Sequence, residues 1–243
     1  MNSSNTPDVP VCAITGGTSG IGLAAARLFA RNGYQVATCG RRENRFEQAR
    51  SAIAAENPKN SPMIERVDLN QPDEATRFAD NVIRRFDRLD VLVNNAGVAP
   101  LEKFEDIEVA TFEQVVNVNI RSVFALTQVA WRRMIKQGRG VVVNISSLAA
   151  VDPFPGFSLY GASKAWIDLL TVALAAEGAE KGIRVCSIRP GAVETPMLRG
   201  LFPDFPTDQC VSPEDVAEKI WGCVNEPENF ESGAAFPVTN QNQ

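Results

Sequence analysis

"AITGGTSGIG", residues 13–22, joins the end of a β-branched run to the start of an alanine-rich segment of helical period. A strand that passes through a glycine-rich turn straight into a helix points backbone N–H groups and the positive end of the helix at one spot. Such a turn binds a pyrophosphate, because small residues let the backbone come close to the phosphates. The spacing is Gly16, three residues, Gly20, one residue, Gly22, with Thr18, Ser19 and Ile21 completing the turn. It is not the commonest G-x-G-x-x-G form, but it occupies the same strand–turn–helix context.

Outward from this turn, short and long segments alternate. Residues 11–15, 35–40, 63–68, 90–95, 140–146 and 183–189 read as strands, most of them apolar on both faces, as in a parallel sheet covered on both sides. Helices are expected at 21–32, 44–56, 73–86, 111–136, 158–181 and 213–224, with Asp73 and Thr111 as N-caps and glycines closing "ARNG" and "AEKG". "GAAFPV" (233–238) supplies a short last strand. The rhythm predicts a doubly wound, Rossmann-type α/β fold with a parallel sheet of about seven strands and helices on both faces. No repeat, low-complexity tract or linker divides residues 1–243, so a single domain is expected, with 1–8 a flexible N-terminus. Residues 190–212, "PGAVETPMLRGLFPDFPTDQCVS", lack clear periodicity. A loop of that length is more often functional than idle, and it is read as a substrate loop or lid.

Composition narrows the partners. The net charge is −5 and the basic residues are dispersed among acids, which argues against nucleic acid. Apolar runs such as "VVVNI" are too short to span a bilayer, and the polar start "MNSSNTPDVP" is unlike a signal peptide. There is no histidine, and the five cysteines form no C-x-x-C pair; no metal site is expected. Free thiols suit a reducing cytoplasm.

The second strand runs into "ATCGRRENR" (37–45). At this point of the fold an acid holds the ribose 2′-OH of NAD, whereas an arginine accommodates the 2′-phosphate of NADP. Gly40 stands where the acid would be, followed by Arg41 and Arg42. A guanidinium fork matches a phosphate, so NADP is expected rather than NAD.

Further motifs follow in order. "DVLVNNAGVAP" (90–100) ends a strand in small polar residues, "VNVNIRSVF" (116–124) places Asn117 and Asn119 among apolar neighbours, and "NISSLAA" (144–150) ends the fifth strand. "LYGASKAW" (159–166) then sets Tyr160 thirteen residues after Ser147, with Lys164 one helical turn further on the same face. Ser146 competes with Ser147, but strand alternation turns it to the opposite side.

Taken together over about residues 9–238, these motifs resemble the short-chain dehydrogenase/reductase family in its compact single-domain branch. The resemblance implies catalytic roles for Ser147, Tyr160 and Lys164, with Asn119 as a fourth member. It implies that Asp68 and Leu69 meet the adenine, that Asn95, Ala96 and Gly97 flank the adenosine ribose, and that Arg41 favours NADP. Pro190, Gly191, Val193 and Thr195 would meet the nicotinamide, and Tyr160 and Lys164 its ribose. The implied function is a cytoplasmic NADP(H)-dependent oxidoreductase interconverting a secondary alcohol and a ketone. The alternatives are a non-catalytic dinucleotide sensor or partner-binding protein on the same fold, and a sugar-nucleotide epimerase or dehydratase. A homodimer or homotetramer would form through the helices at 111–136 and 158–181.

Without histidine, proton transfer falls to the phenol. Bringing a tyrosine from ~10 to near 7 takes about three units, or ~4 kcal/mol. An ammonium at ~4 Å, at an effective dielectric of ~20, supplies about that much, and an oxidised nicotinamide adds a second positive charge. Tyr160 would then be the general acid/base, Ser147 would orient the substrate oxygen, and Asn119 would hold a water linking Lys164 to solvent. The cofactor carries the hydride. Phe154, Phe157, Met197, Leu198, Leu201, Phe202 and Phe205 are candidates for an apolar substrate pocket, with an acyl-thioester ketone, a sugar and a small aliphatic ketone all open. The final "TNQNQ" departs from the glycine-rich ending common in the family.

Overall fold

The computed structural model describes residues 9–240; the expected flexible segment 1–8 lies outside them. The strands are β1 (Val11–Thr15), β2 (Gln35–Gly40), β3 (Met63–Arg66), β4 (Val91–Asn94), β5 (Gly140–Ile145), β6 (Ile183–Pro190) and β7 (Ala235–Val238). All pair in parallel, in the order β3-β2-β1-β4-β5-β6-β7. The chain therefore starts at the centre, winds out to β3, returns to β4 and winds out the other way. That reversal between β1 and β4 leaves a crevice at the C-terminal ends of the strands.

Strand alternation explains the apolar runs. Cys12 and Ile14 of β1 join a core shared with α1 (Gly20–Arg31), α2 (Phe46–Glu56) and α8 (Pro213–Asn225). Val11 and Ala13, facing the other way, join a second core with α3 (Glu74–Phe86), α5 (Ser122–Gln137) and α6 (Ser158–Gly178). The central strands are dry on both faces, so they show no polar alternate row, whereas the edge strands β3, with Glu65 and Arg66, and β7 are more open. The five cysteines are free thiols. Cys186 and Cys223, distant in sequence, meet as a hydrogen-bonded pair between β6 and α8. Among the described residues no helix is long and apolar enough to cross a membrane.

Several boundaries depart from the expected ones. The helix expected from 111 begins as α4 (Val109–Val115), with extended Glu108 at its N-cap, passes through a π-helical stretch (Val116–Arg121) and continues as α5. Thr111 is thus inside the helix, its Oγ1 donating to Glu102 Oε1 at 3.3 Å, and is no cap. Asp73 occupies the N-cap of α3 but makes no side-chain capping bond.

Segment 190–212 is ordered. Thr195 Oγ1 accepts from Leu198 N at 3.2 Å to cap α7 (Pro196–Leu201), and Val193 bridges to Val211. Arg199 gathers the turn that follows, donating to the Glu194 carboxylate, the Pro203 and Phe205 carbonyls and Thr207 Oγ1.

The start of α6 is pressed onto the turn after β5, where a Cβ on Gly161 would stand 2.5 Å from the Ala149 carbonyl oxygen. A backbone atom cannot yield as a side chain can. Gly161→Ala is expected to lower the free energy of unfolding by about 1–3 kcal/mol in urea denaturation; an unchanged midpoint would show that the contact is loose.

Candidate active site

The strand ends open onto a cleft of about 1020 Å³. Of the residues singled out in the sequence, Gly16, Thr18, Ser19, Gly20, Ile21, Arg41, Asp68, Leu69, Asn95, Ala96, Gly97, Ser147, Tyr160, Lys164, Pro190, Gly191, Val193 and Thr195 line it. Gly22 and Asn119 do not.

The glycine turn enters the cleft first. Gly16 (φ +70°) and Gly20 (φ +53°) adopt left-handed backbone that other residues take at a cost. Ser19, the N-cap of α1, makes no side-chain capping bond. The first-turn N–H groups behind Gly20 and Ile21 therefore have no side-chain acceptor, as an anion site requires. Gly22 lies behind the wall, where a Cβ would sit 2.5 Å from the Gly16 carbonyl oxygen; it serves close packing of turn and helix. Thr15 then ties this turn to the end of β4. Its Oγ1 accepts from Asn95 N (3.0 Å) and Ala96 N (2.9 Å), and its carbonyl accepts from Asn95 Nδ2 (2.7 Å). Nothing in the motif spacing marks Thr15.

At the end of β2, a Cβ on Gly40 would meet Thr18 Oγ1 at 2.7 Å, so an acid does not fit there without displacing Thr18. Arg41, Arg42 and Arg45 line this end, and none forms an ion pair among the described residues. Glu43, the nearby acid, pairs instead with Arg66 at 3.3 Å. Arg45 was hidden in the sequence because 43–45 reads as the start of a helix; it is a separate 3₁₀ turn that aims back at the cleft.

Three strands further along the sheet, β5 meets α6. Ser146 is buried and its Oγ donates to the Lys164 carbonyl at 3.1 Å, away from the cleft. Ser147 faces the cleft, hydrogen-bonds the Tyr160 phenol and accepts from Ala149 N at 3.1 Å. Lys164 is buried, with Nζ donating to the Ile145 carbonyl at 2.8 Å and standing 5.6 Å from the centre of the Tyr160 ring.

By themselves, the chain's own groups leave the Tyr160 phenol raised. Burial pushes the phenol up, opposed only by the Ser147 hydrogen bond. Burial also pulls Lys164 down to about 8, with Asp168 opposing. Burial thus moves each group toward its neutral form.

Asn119 is fully buried in the π-helical stretch. Its Nδ2 donates to the Val98 carbonyl (2.9 Å) and Ser163 Oγ (3.0 Å), and its Oδ1 accepts from Val98 N (2.9 Å). The space a Cβ would take at Gly97 lies 3.4 Å from Asn119 Oδ1 and 3.5 Å from Lys164 Nζ.

The seven apolar residues proposed for a pocket all line the cleft beside Tyr160. Phe157 packs on Tyr160 (ring centres 5.1 Å apart), and Phe154 and Phe202 lie 4.3 and 6.3 Å from Phe157.

Compared with known proteins, residues 10–205 match the family described as short chain dehydrogenase. The chain is 32% identical to an acetoacetyl-CoA reductase of Allochromatium vinosum over 94% of this chain and 96% of that protein. It superposes with a TM-score of 0.85 and 28% identity on a 3-ketoacyl-(acyl-carrier-protein) reductase from Brucella melitensis complexed with NADH, covering 96% and 97% of the two chains. The same TM-score and identity relate it to a short chain dehydrogenase from Burkholderia cenocepacia in complex with NADP, over 95% and 96%.

The buried lysine yields a direct test. Lys164 carries its charge below about pH 8 and loses it above. In ¹⁵N-lysine NMR of the cofactor-free protein, one amine absent from Lys164→Met is expected to titrate near 8, and a midpoint above 10 would contradict the burial.

Proposed function

The chain belongs to the short-chain dehydrogenase/reductase family, and we propose that it uses NADP(H) to interconvert a secondary alcohol and a ketone, with Tyr160 as the general acid/base. The observation that carries this reading is the Ser147–Tyr160–Lys164 cluster at one end of a cleft whose other end holds three unpaired arginines. Three strand spacings separate β2 from β5, roughly 14 Å, a span that an extended dinucleotide bridges. The uncapped start of α1 lies between them to receive its phosphates.

The residues divide the work. Arg41, with Arg42 and Arg45, holds the 2′-phosphate, and Asp68 and Leu69 border the adenine. Asn95, Ala96 and Gly97 flank the adenosine ribose, while Pro190, Gly191, Val193 and Thr195 frame the nicotinamide. When bound, the nicotinamide supplies or accepts the hydride. Tyr160 gives its proton to the carbonyl oxygen during reduction and takes one from the hydroxyl during oxidation, while Ser147 orients that oxygen. Lys164 contributes positive charge below pH 8 and holds the nicotinamide ribose. Asn119 acts through position: it fastens the Val98 loop to α6, and it would hold a water linking Lys164, which lies with it beside Gly97, to solvent.

We further propose that 9–240 fold as one domain, that 190–212 closes over the substrate, and that the protein works in the cytoplasm, consistent with five free thiols. A homodimer or homotetramer would bury the apolar residues left outside on α5 and α6, Phe124 (52% exposed), Leu169 (71%) and Val172 (54%).

Tyr160→Phe is expected to lower kcat for ketone reduction by about 10²–10⁴-fold while NADPH still binds; undiminished turnover would overturn the assignment. Replacing Arg41 and Arg45 by alanine should cut the preference in kcat/KM for NADPH over NADH by about tenfold or more. A wild-type preference for NADH would refute the NADP reading.

A further inference from the structure

We propose that the substrate is a neutral cyclic ketone or its secondary alcohol, and that Asp152 at the rim of the cleft turns anionic substrates away; this rests on the oxidoreductase reading above. The substrate end of the cleft is built from rings. Phe154, Phe157 and Phe202 lie with ring centres 4.3 to 6.3 Å apart, inclined to one another by 38° to 72°, and Phe157 continues the wall onto Tyr160. Inclined aromatic faces around a single pair of hydroxyls bury a compact ring on several sides while leaving its oxygen to Ser147 and Tyr160. A flexible chain of equal carbon number makes the same contacts only after its rotors are frozen.

The charges at this end select against anions. The three cleft arginines follow β2, about 14 Å across the sheet. Near the rings, the lining carries one cation, Lys164, whose Nζ is engaged with the Ile145 carbonyl. It also carries Asp152, exposed and in no ion pair among the described residues. A carboxylate on the substrate would meet an unneutralised carboxylate at the entrance and no basic partner beyond it.

Kinetics of the purified full chain with NADPH test both halves. Methyl 4-oxocyclohexanecarboxylate and 4-oxocyclohexanecarboxylate share a ring and differ by a charge; the ester is expected to have the higher kcat/KM by about tenfold. That ratio should narrow in high salt, as repulsion at an exposed site is screened, and should fall below about threefold in Asp152→Asn. Cyclohexanone should exceed hexan-2-one by about tenfold, and Phe202→Ala should erode that margin. Equal use of ester and carboxylate, or of ring and chain, by the wild-type protein would overturn the substrate assignment and leave the oxidoreductase reading intact. A ratio unmoved by salt and by Asp152→Asn would remove Asp152 from it. Turnover of none of the four ketones would likewise overturn the substrate assignment, and only the further failure of acyl-thioester and sugar ketones with NADPH and NADH would count against the oxidoreductase reading itself.

Discussion

Lys164 is an ammonium with 3% of its surface exposed, and the site is arranged around accommodating it. A buried amine either finds acceptors or sheds its proton. Here the Ile145 carbonyl at the end of β5 accepts from Nζ, and Asp168, one turn along α6, opposes the loss of charge that burial imposes. Asp168 is itself held by Ser187 Oγ (2.6 Å) and Arg189 Nε (2.8 Å) from β6. The amine is thus poised near neutrality, between fully charged and fully neutral, by partners on two strands and its own helix. The same junction fixes the other groups. Ser146 anchors the Lys164 backbone, the missing Cβ of Gly161 lets α6 lie on the turn after β5, and Ser147 reaches Tyr160 from that turn.

From this junction the cleft runs along a gradient of polarity. The β2 end carries arginines without ion-pair partners among the described residues, the middle offers backbone N–H groups at the start of α1, and the β5–β6 end is lined by phenyl rings and aliphatic side chains. Topology makes this separation possible. Because the strand order reverses between β1 and β4, loops that are far apart in sequence reach the same crevice from opposite directions. On the proposed function, charged recognition of a phosphate and dry containment of a substrate carbonyl would be incompatible at one spot, and the width of the sheet would keep them apart.

Most of the sheet was legible in the sequence because its central strands are buried on both faces and announce themselves as apolar runs, while the edge strand β3, with Glu65 and Arg66, is weaker in this respect. The cleft-lining residues at the strand ends were legible for a related reason, since short motifs sit where the backbone must turn. What could not be read depends on through-space packing. Thr15 looks like any strand-terminal threonine until its hydroxyl is found serving two amides of another strand end. Arg45 is local in sequence, but only the 3₁₀ turn aims it at the cleft. The π-helical stretch around Asn119 leaves no trace in hydrophobic period, because one residue per turn more or less is lost in a helix covered on several sides. Cys186 and Cys223 read as isolated and are neighbours.

The electrostatics of Tyr160 bear on the direction of the chemistry. A lysine at helical spacing suggests an acidified phenol, but the fold buries both side chains, and the phenol is moved the other way. A tyrosine held protonated, hydrogen-bonded to Ser147 at the mouth of an apolar pocket, is set to give a proton to a carbonyl oxygen. Taking a proton from an alcohol needs the phenolate, which positive charge brought into the cleft beside that of Lys164 would stabilise. The oxidised nicotinamide carries such a charge and the reduced one does not. On the proposed mechanism, ketone reduction would start from the protonation state that the protein alone favours. On the same mechanism, alcohol oxidation would start from the phenolate, which the charge of an oxidised nicotinamide would favour, so the phenol's acidity would be coupled to the redox state of a dinucleotide in the cleft.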